Sequence, residues 1–324
     1  MDAVGLGALN LDIIYKVNFE EFTLIKKGVE RKIDKEELPF LKKFLKEKAQ
    51  FVTKSGGGSA ANTIYALSRM GFSCGFVGKV GKDEEGDFLL QELKEAKIDT
   101  SRVLREGQTG TCFILIDEKG ERSVFVLPGT NDTLLSSEID IDYINRAKIL
   151  HTASFIGDTS YKTQKETILR AKSLLSFDPG EPHAARGWEE LFPIMRKTHI
   201  LFSTKKEIEL ITGKNLKEGS FKIKECGVKV VVCKLGENGS LIINGGREVF
   251  IPAQKVKSID TTGAGDVYAA GFLAGFLNNL TLKDCGVAGT LAAALSVTGY
   301  GRERYPGKNF LESVLKKLRE KNAF

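Results

Sequence analysis

The sequence predicts an α/β fold in which a mainly parallel sheet is packed between helices and carries a small β-rich lid. Short β-branched runs alternate with amphipathic helical stretches through most of the chain, which is the pattern of βαβ units. Two segments break this alternation, and we interpret them as the lid. Because a single core rarely grows beyond about 300 residues, a main body with a smaller appendage also fits the length of 324 residues.

The strands of the main sheet are predicted where short apolar runs end at a turn signal or at a helical pattern. These runs span residues 3–9, 74–80, 149–153, 174–178, 200–203 and 228–234. After Asp266 the chain is rich in Ala, Gly and Leu, a composition that allows close helix packing. Residues 310–321 have the pattern of an exposed amphipathic helix.

The lid is predicted from the two interrupting segments. The first contains a capping-box pattern from Asp34 to Glu37, followed by apolar residues at helical spacing, namely Leu38, Leu41, Phe44 and Leu45. The second, TCFILIDEKGERSVFV at residues 111–126, predicts two strands joined by a turn at residues 117–120. The predicted division is a core of residues 1–12, 53–108 and 128–324, and a discontinuous lid of residues 13–52 and 109–127.

The composition argues against several classes of protein. The 48 basic and 42 acidic residues are interspersed and give a net charge of +6 without a basic stripe, so we expect no nucleic-acid partner. There is no run of 18 apolar residues and no leader pattern, so we expect no membrane association and a cytoplasmic location. The five cysteines and three histidines have neither disulfide-framework nor zinc-ligand spacing.

The strongest chemical signal is the segment from Asp260 to Asp266, DTTGAGD, which precedes a helical stretch. Its small residues allow backbone N–H groups to approach a phosphate, and the positive end of the following helix favours an anion there. A tight turn with Asp266 as a simple N-cap would explain this segment if it stood alone. A second glycine-rich helix start, SGGGSAAN at residues 55–62, lies upstream.

These two segments resemble the signatures of the ribokinase-like carbohydrate kinases, the PfkB family. The resemblance rests on GGGSAANTIYALSRMG at residues 56–71 and DTTGAGDVYAAGF at residues 260–272, about 200 residues apart and in the family's order. It spans nearly the whole chain and implies a three-layer α/β/α core with a β-sheet lid. A hydroxyl-bearing substrate would lie between lid and core, ATP would lie along the edge of the sheet, and the lid would close to exclude water.

The resemblance also implies roles for individual residues. Asp266 matches the catalytic base, and the backbone of Gly263, Ala264, Gly265 and Asp266 would form the anion hole. Contacts to the hydroxyls of the acceptor are implied for Asn10, Asp12, Gly57, Gly58 and Asn62. ATP contacts are implied for Thr204, Glu207, Lys234, Gly236, Gly239, Gly265 and Thr290.

The resemblance further implies Mg²⁺, which accompanies ATP, and a potassium-like ion. Glu207 matches the glutamate of the family's Asn-x-x-Glu motif, which organises magnesium through water, whereas Thr204 replaces the asparagine. Lys234 stands where the nucleotide loop usually has threonine. The monovalent cation would be held by Asp260, Thr262, Ser296, Gly299 and Gly301.

The predicted function is ATP-dependent phosphorylation of a hydroxyl, primary in the favoured case, on a sugar or a nucleoside. A non-catalytic sugar or nucleotide sensor of the same fold and a small-vitamin kinase remain alternatives. Ser59 replaces the lysine of ribokinases, and the segment before residue 55 looks closer to adenosine kinases, so both acceptor classes stay open. A phosphosugar is disfavoured because no cationic cluster is evident, with Arg302 and Arg304 as exceptions. We expect a homodimer through the lid, with CFILI as an exposed edge strand.

Overall fold

The structure is a computed structural model that describes residues 1–21, 28–118 and 122–322. Part of the predicted turn, Lys119 and Gly120, lies outside the described residues, as does part of the predicted lid, residues 22–27. The described strands are, in chain order, β1 (Ala3–Leu6), β2 (Asn10–Lys16), β3 (Glu30–Lys32), β4 (Gln50–Gly57), β5 (Cys74–Val80), β6 (Asp99–Arg105), β7 (Gly110–Ile116), β8 (Arg122–Leu127), β9 (Ile149–Ala153), β10 (Leu174–Asp178), β11 (Thr198–Thr204), β12 (Val230–Lys234), β13 (Ser240–Asn244) and β14 (Arg247–Ile251).

The main sheet has the order β14-β13-β12-β11-β10-β9-β1-β5-β6 among the described residues. Its strands are parallel except where β13 pairs antiparallel with β12 and with β14. Strand β1 lies between β9 and β5, so strands that follow it in the sequence lie on both sides of it and the strand order reverses there. In open α/β sheets ligands bind at the carboxyl ends of the strands, beside such a reversal of strand order.

Helices cover both faces of the main sheet, which confirms the three-layer α/β/α class. The described helices are α1 (Glu37–Lys48), α2 (Ser59–Arg69), α3 (Glu84–Glu95), α4 (Ile141–Asn145), α5 (Asp158–Arg170), α6 (Gly180–Ala184), α7 (Gly187–Met195), α8 (Lys205–Thr212), α9 (Leu216–Glu225), α10 (Ala264–Leu277), α11 (Leu282–Ser296) and α12 (Lys308–Asn322). Helices α2, α3, α10 and α11 contribute to one core and α4 to α9 to the other. No described helix is both long and apolar enough to span a membrane.

A second, smaller sheet has the order β3-β8-β7-β2-β4 among the described residues. One face points towards the main body, and the other is covered by α1 through Leu41 and Leu45, which pack on Phe113 and Leu115. Helix α1 begins after a reciprocal capping box, in which Asp34 Oδ1 accepts from the Glu37 amide and Glu37 Oε2 accepts from the Asp34 amide. We call this second sheet together with α1 the lid.

Two expectations from the sequence are corrected. The CFILI segment forms most of β7, which is paired with β2 and β8 and therefore supplies no free edge; the edges are β3 and β4. The single strand predicted over residues 3–9 ends at Leu6, because the chain crosses there from the main sheet to the lid. In this crossing Asn131 replaces a strand partner, since its side chain accepts from the Leu9 amide and donates to the Leu9 carbonyl, both at 2.9 Å.

Candidate active site

A cavity of about 1200 Å³ lies between the lid and the carboxyl ends of the main-sheet strands. Asp266 and the Gly263–Gly265 backbone line its middle. One end is lined by residues that include Asn10, Asp12, Ile114, Val124, Val126, Asn131 and Asp132; we call it the acceptor end, after the role that the resemblance implies for Asn10 and Asp12. The other end is lined by residues that include Lys234, Gly236, Gly239, Ala253, Val256 and Thr290; we call it the nucleotide end, after the ATP contacts that the resemblance implies there.

The loop before α10 presents backbone amides to the cavity. Gly263 has φ +73°, and a Cβ there would overlap the Tyr305 hydroxyl, so glycine is required on two grounds. The Ala264 amide, expected in the anion hole, instead donates to the Thr261 carbonyl at 3.2 Å and closes the turn. Within the described residues the amides of Gly265 and Asp266 have no hydrogen-bond acceptor. These two amides and the positive end of the 14-residue α10 form a candidate anion site.

The Asp266 carboxylate is held by the first turn of α2. Ser59 Oγ donates to Oδ1 at 2.6 Å, and Asn62 Nδ2 donates to Oδ2 at 2.9 Å. Thr63 Oγ1 also donates to the Asp266 carbonyl at 3.1 Å. Burial raises the pKa of the Asp266 carboxyl to about 6, although these two side-chain hydrogen bonds act to lower it. The group is therefore a stronger base than an ordinary aspartate and is still ionised at neutral pH.

Asp12 is 8% exposed at the acceptor end, and its Oδ1 has no hydrogen-bond partner among the described residues. Burial raises the pKa of this carboxyl to about 7, against the lowering effect of the Arg302 charge. Gly57, expected to contact the acceptor, does not line the cavity. The Asp12 carboxylate covers it and occupies the space that a Cβ at Gly57 would need. Gly58 does line the cavity.

Asn10 and Asn62 also reach the acceptor side, but both are already engaged. Asn10 Oδ1 accepts from Asn131 Nδ2 at 2.8 Å. Asn62, besides its bond to Asp266, accepts at Oδ1 from Arg302 Nε at 3.1 Å. Arg302, which the sequence left open as a ligand for an acceptor phosphate, is 5% exposed and is not among the residues that line the cavity.

Lys234 lies beneath the anion site. Its Nζ forms an ion pair with Asp178, and a Cβ at Gly265 would lie 3.3 Å from it. Burial acts to lower the pKa of the Lys234 ammonium, but the Asp178 and Glu207 carboxylates outweigh burial, so the pKa lies above its usual range. A permanently charged ammonium therefore stands next to the backbone amides that face the cavity.

Thr204 and Glu207 form a capping box at the start of α8. Thr204 Oγ1 accepts from the Glu207 amide at 3.2 Å, and Glu207 Oε2 accepts from the Thr204 amide at 2.8 Å. Both residues line the cavity. Burial, followed by the Asp178 charge, raises the pKa of the Glu207 carboxyl. Thr204 therefore caps α8, as the asparagine of the family motif could, but its side chain offers no amide group to the cavity.

The nucleotide end is shaped by glycines and by one unpaired hydroxyl. Gly236 and Gly239 have φ +60° and +109°, and a Cβ at Gly239 would overlap the Ile251 carbonyl. Thr290 Oγ1 is buried without a hydrogen-bond partner among the described residues. A buried hydroxyl without a partner costs free energy unless a ligand or water satisfies it. The nucleotide end can therefore bind one polar group of a ligand at the Thr290 hydroxyl, close to the apolar side chains of Ala253 and Val256.

Next to the anion loop, Asp260 connects two backbone segments. Its Oδ1 accepts from the Thr262 amide at 2.8 Å, and its Oδ2 accepts from the Gly301 amide at 3.1 Å. Thr262 Oγ1 is buried without a partner among the described residues, and Ser296 Oγ donates to the Ala293 carbonyl at 2.8 Å. Gly299 and Gly301 belong to the turn that follows α11.

Two residues of this site, Asp178 and Asn131, were not singled out from the sequence, and neither was the contact of Arg302 with Asn62. Asp178 carried a usable signal, since it ends a buried parallel strand, where site residues concentrate. No sequence signal indicated the contact of Asn131 with Asn10 or of Arg302 with Asn62, because more than 100 residues separate the partners of each pair in the chain. Only the three-dimensional arrangement brings them together.

Comparison with known proteins assigns the family. The profile of the pfkB family carbohydrate kinases matches residues 29–304. The chain belongs to this family. The match confirms the resemblance of the two glycine-rich signatures, and this pfkB protein is a sugar or nucleoside kinase, an activity that implies ATP-dependent phosphorylation.

Individual relatives agree with this assignment. An uncharacterized sugar kinase of Archaeoglobus fulgidus is 40% identical over 245 residues, which cover 74% of this chain and 98% of the relative. A nucleoside kinase of Methanothermobacter thermautotrophicus is 30% identical over 250 residues, which cover 76% of this chain and 80% of the relative. The crystal structure of adenosine kinase from Sinorhizobium meliloti superposes with a TM-score of 0.87 at 23% identity and covers 98% of this chain and 99% of that one. It shows the shared fold.

Proposed function

We propose that this kinase transfers the γ-phosphoryl group of ATP to a hydroxyl of a sugar or nucleoside, with Asp266 as the general base. The preferred acceptor is a primary hydroxyl. The observation that carries the proposal is the position of the Asp266 carboxylate between the acceptor end and two backbone amides without acceptors. The acceptor oxygen attacks the γ-phosphorus, its proton passes to Asp266, and ADP leaves. The Gly265 and Asp266 amides would stabilise charge on the transferring group.

The nucleotide end supports ATP as the donor. Lys234 supplies a point charge beside the phosphate site, and Thr290 supplies a hydroxyl where the adenine side is expected. When bound with ATP, Mg²⁺ would neutralise charge on the phosphates, and Glu207 is the residue we propose to organise it through water. The orphaned Thr262 hydroxyl beside Asp260 supports a potassium-like ion at the neighbouring loop.

The acceptor end favours a neutral acceptor with an apolar part. The cationic side chains that line it lie near carboxylates. Lys206 pairs with Glu181 at 2.7 Å, and burial raises the pKa of the Glu30 carboxyl against the lowering effect of the Arg122 charge. Such pairs leave little positive charge for an additional phosphate. Beside Asp12, on the same face of the lid sheet, Ile114, Val124 and Val126 form an apolar wall. A hydroxyl-bearing ribose against Asp12 and a base against this wall would use both surfaces, so a nucleoside is preferred to a free sugar.

A screen of ADP release tests the proposal. Pentoses, hexoses, nucleosides and small vitamins would be offered with ATP and Mg²⁺, and the Asp266→Asn variant would serve as the control for contaminating kinases. Turnover that requires Asp266 is expected with at least one nucleoside or sugar. Tight binding of such a compound without ADP release would instead identify a sensor, and turnover of a vitamin alone would replace the substrate class. The homodimer remains a prediction, now limited to the edges β3 and β4 if the lid mediates it.

A further inference from the structure

We propose that Arg302 is a positioning residue, which fixes the orientation of the Asn62 amide and thereby holds the Asp266 carboxylate for proton acceptance. The proposal rests on the proposed function. Arg302 lies in the turn between α11 and α12, contacts neither the cavity nor the acceptor end directly, and reaches the base only through Asn62.

The chemistry of the three groups allows one arrangement. A guanidinium has donors only, so the Arg302 Nε–H must face the oxygen of the Asn62 amide, which it does at 3.1 Å. The amide nitrogen is then directed at Asp266 Oδ2, at 2.9 Å. With the amide turned over, its oxygen would face the carboxylate and its N–H₂ would face the guanidinium, and both contacts would be repulsive. Arg302 therefore selects the useful amide orientation.

Arg302 is itself held rigidly. Its guanidinium stacks 4.5 Å from the Tyr65 ring centre, and its Nη1 donates to Glu92 Oε2 at 3.3 Å. The same Glu92 oxygen accepts from the amide of Gly56, near the end of β4, at 2.7 Å. A Cβ at Gly56 would overlap both Glu92 and Arg302. The Arg302 guanidinium therefore packs closely against β4 at Gly56 and against α2 at Tyr65.

A structural role alone does not account for a charge at this place. Arg302 is 5% exposed, has one carboxylate partner, and its Nη2 has no hydrogen-bond partner among the described residues. Burial of an incompletely paired charge is unfavourable, and apolar residues commonly replace such groups without loss of stability. The directed hydrogen bond to Asn62 is what an apolar side chain could not supply.

The test combines Arg302→Met with Asn62→Ala and the double variant, with Arg304→Met in the same turn as an exposed control. Arg302→Met is expected to lower kcat about tenfold, the usual scale for a hydrogen bond to a charged group. It should also move the acidic limb of the kcat profile to higher pH, because the carboxylate loses a directed donor. Besides Asn62, the groups that face Asp266 are Ser59, Lys234, Asp178, Asp12 and Tyr305, and none is substituted. Loss of the Arg302 charge also raises the pKa of Asp12, and this effect is read from KM for the acceptor rather than from kcat. In the Asn62→Ala background, Arg302→Met should change kcat less than about twofold.

Multiplicative effects of the two substitutions, or an unchanged pH profile in Arg302→Met, would overturn the proposal. A readout independent of turnover is the side-chain amide NMR signal of Asn62, assigned through Asn62→Ala. In the wild type the chemical shift of this signal should follow the titration of Asp266. Arg302→Met should move the pH midpoint of this titration upward. An unmoved midpoint contradicts the inference even if no acceptor is phosphorylated. If Arg302→Met does not fold, Arg302→Lys, which keeps the charge beside Glu92, replaces it in the same cycle and must show the same coupling to Asn62.

Discussion

Ser59 Oγ and Asp266 Oδ1 lie 2.6 Å apart although 207 residues separate them in the chain. This bond joins the two glycine-rich helix starts of the sequence, so the segment that precedes α2 and the segment that precedes α10 form one site. Ser59, where the resemblance to ribokinases implies a lysine, supplies a hydroxyl that orients the proposed base.

Replacement of Asp266 by Asn is expected to lower kcat by about 10²- to 10⁴-fold, since it removes the proton acceptor and preserves size. Steady-state ADP release measures the effect. Asp142→Asn, an exposed aspartate at the start of α4, is the matched control and should retain wild-type kcat. Near-normal turnover of Asp266→Asn would remove the general-base assignment.

The two acidic groups of the cavity should give separate pH limbs. The base works only as a carboxylate, so kcat should fall as the pH drops through about 6, the raised pKa of Asp266. Asp12 accepts hydroxyl groups best when ionised, so KM for the acceptor should increase as the pH drops through about 7, its raised pKa. Kinetics from about pH 5 to 8 would separate these limbs. In Asp12→Asn the kcat limb should persist and the KM limb disappear; a KM limb that survives in this variant would contradict the assignment to Asp12.

Lys234→Met should raise KM for ATP and lower kcat, because the phosphates lose a neighbouring charge. It also leaves Asp178 without its ion-pair partner, at a cost of about 3 kcal/mol in the free energy of unfolding, as for other broken buried pairs. The double variant Lys234→Met, Asp178→Asn should regain stability in thermal unfolding and not regain activity. Lys229→Met, at an exposed position just before β12, controls for loss of a lysine. Recovered turnover in the double variant would show that Lys234 acts only on stability.

Glu207→Gln should raise the Mg²⁺ concentration required for half-maximal activity, since the amide retains an oxygen for the Thr204 N–H and loses the charge. A magnesium titration at fixed ATP measures this. Asn215→Ala, which removes the side-chain cap of α9, is the control: about 1 kcal/mol of stability should be lost with no change in the titration. Identical titrations for Glu207→Gln and wild type would leave Glu207 with its capping role alone.

Activity should be several-fold higher in potassium than in tetramethylammonium salts, because the buried Thr262 hydroxyl and the Asp260 carboxylate offer oxygens to a monovalent ion of suitable size. Asp260→Asn should abolish the difference between the two salts. Equal rates of the wild-type enzyme in both salts, at matched ionic strength, would argue against the cation site.

The sequence was sufficient for the features that depend on local pattern. The strands that end at Val80, Ala153 and Asp178 follow directly from short apolar runs, and the helix after Asp34 follows from its capping box. Strand pairing was not accessible, since an apolar run such as CFILI has the same pattern at an edge as between two partners. The glycine signatures located Asp266, but the network through Arg302 depends on contacts across 240 residues, which no local spacing encodes.

The covering of the lid sheet by α1 has a mechanical consequence for turnover. Any displacement of the lid carries this helix along, so the apolar contacts of Leu41 and Leu45 with Phe113 are the same in an open and a closed state. Under the proposed function, the driving force for closure would then come from the opposite face, where Ile114 and Val126 line the cavity and would contact the acceptor. An acceptor too short to reach these two side chains would occupy the site and still leave ATP accessible to water.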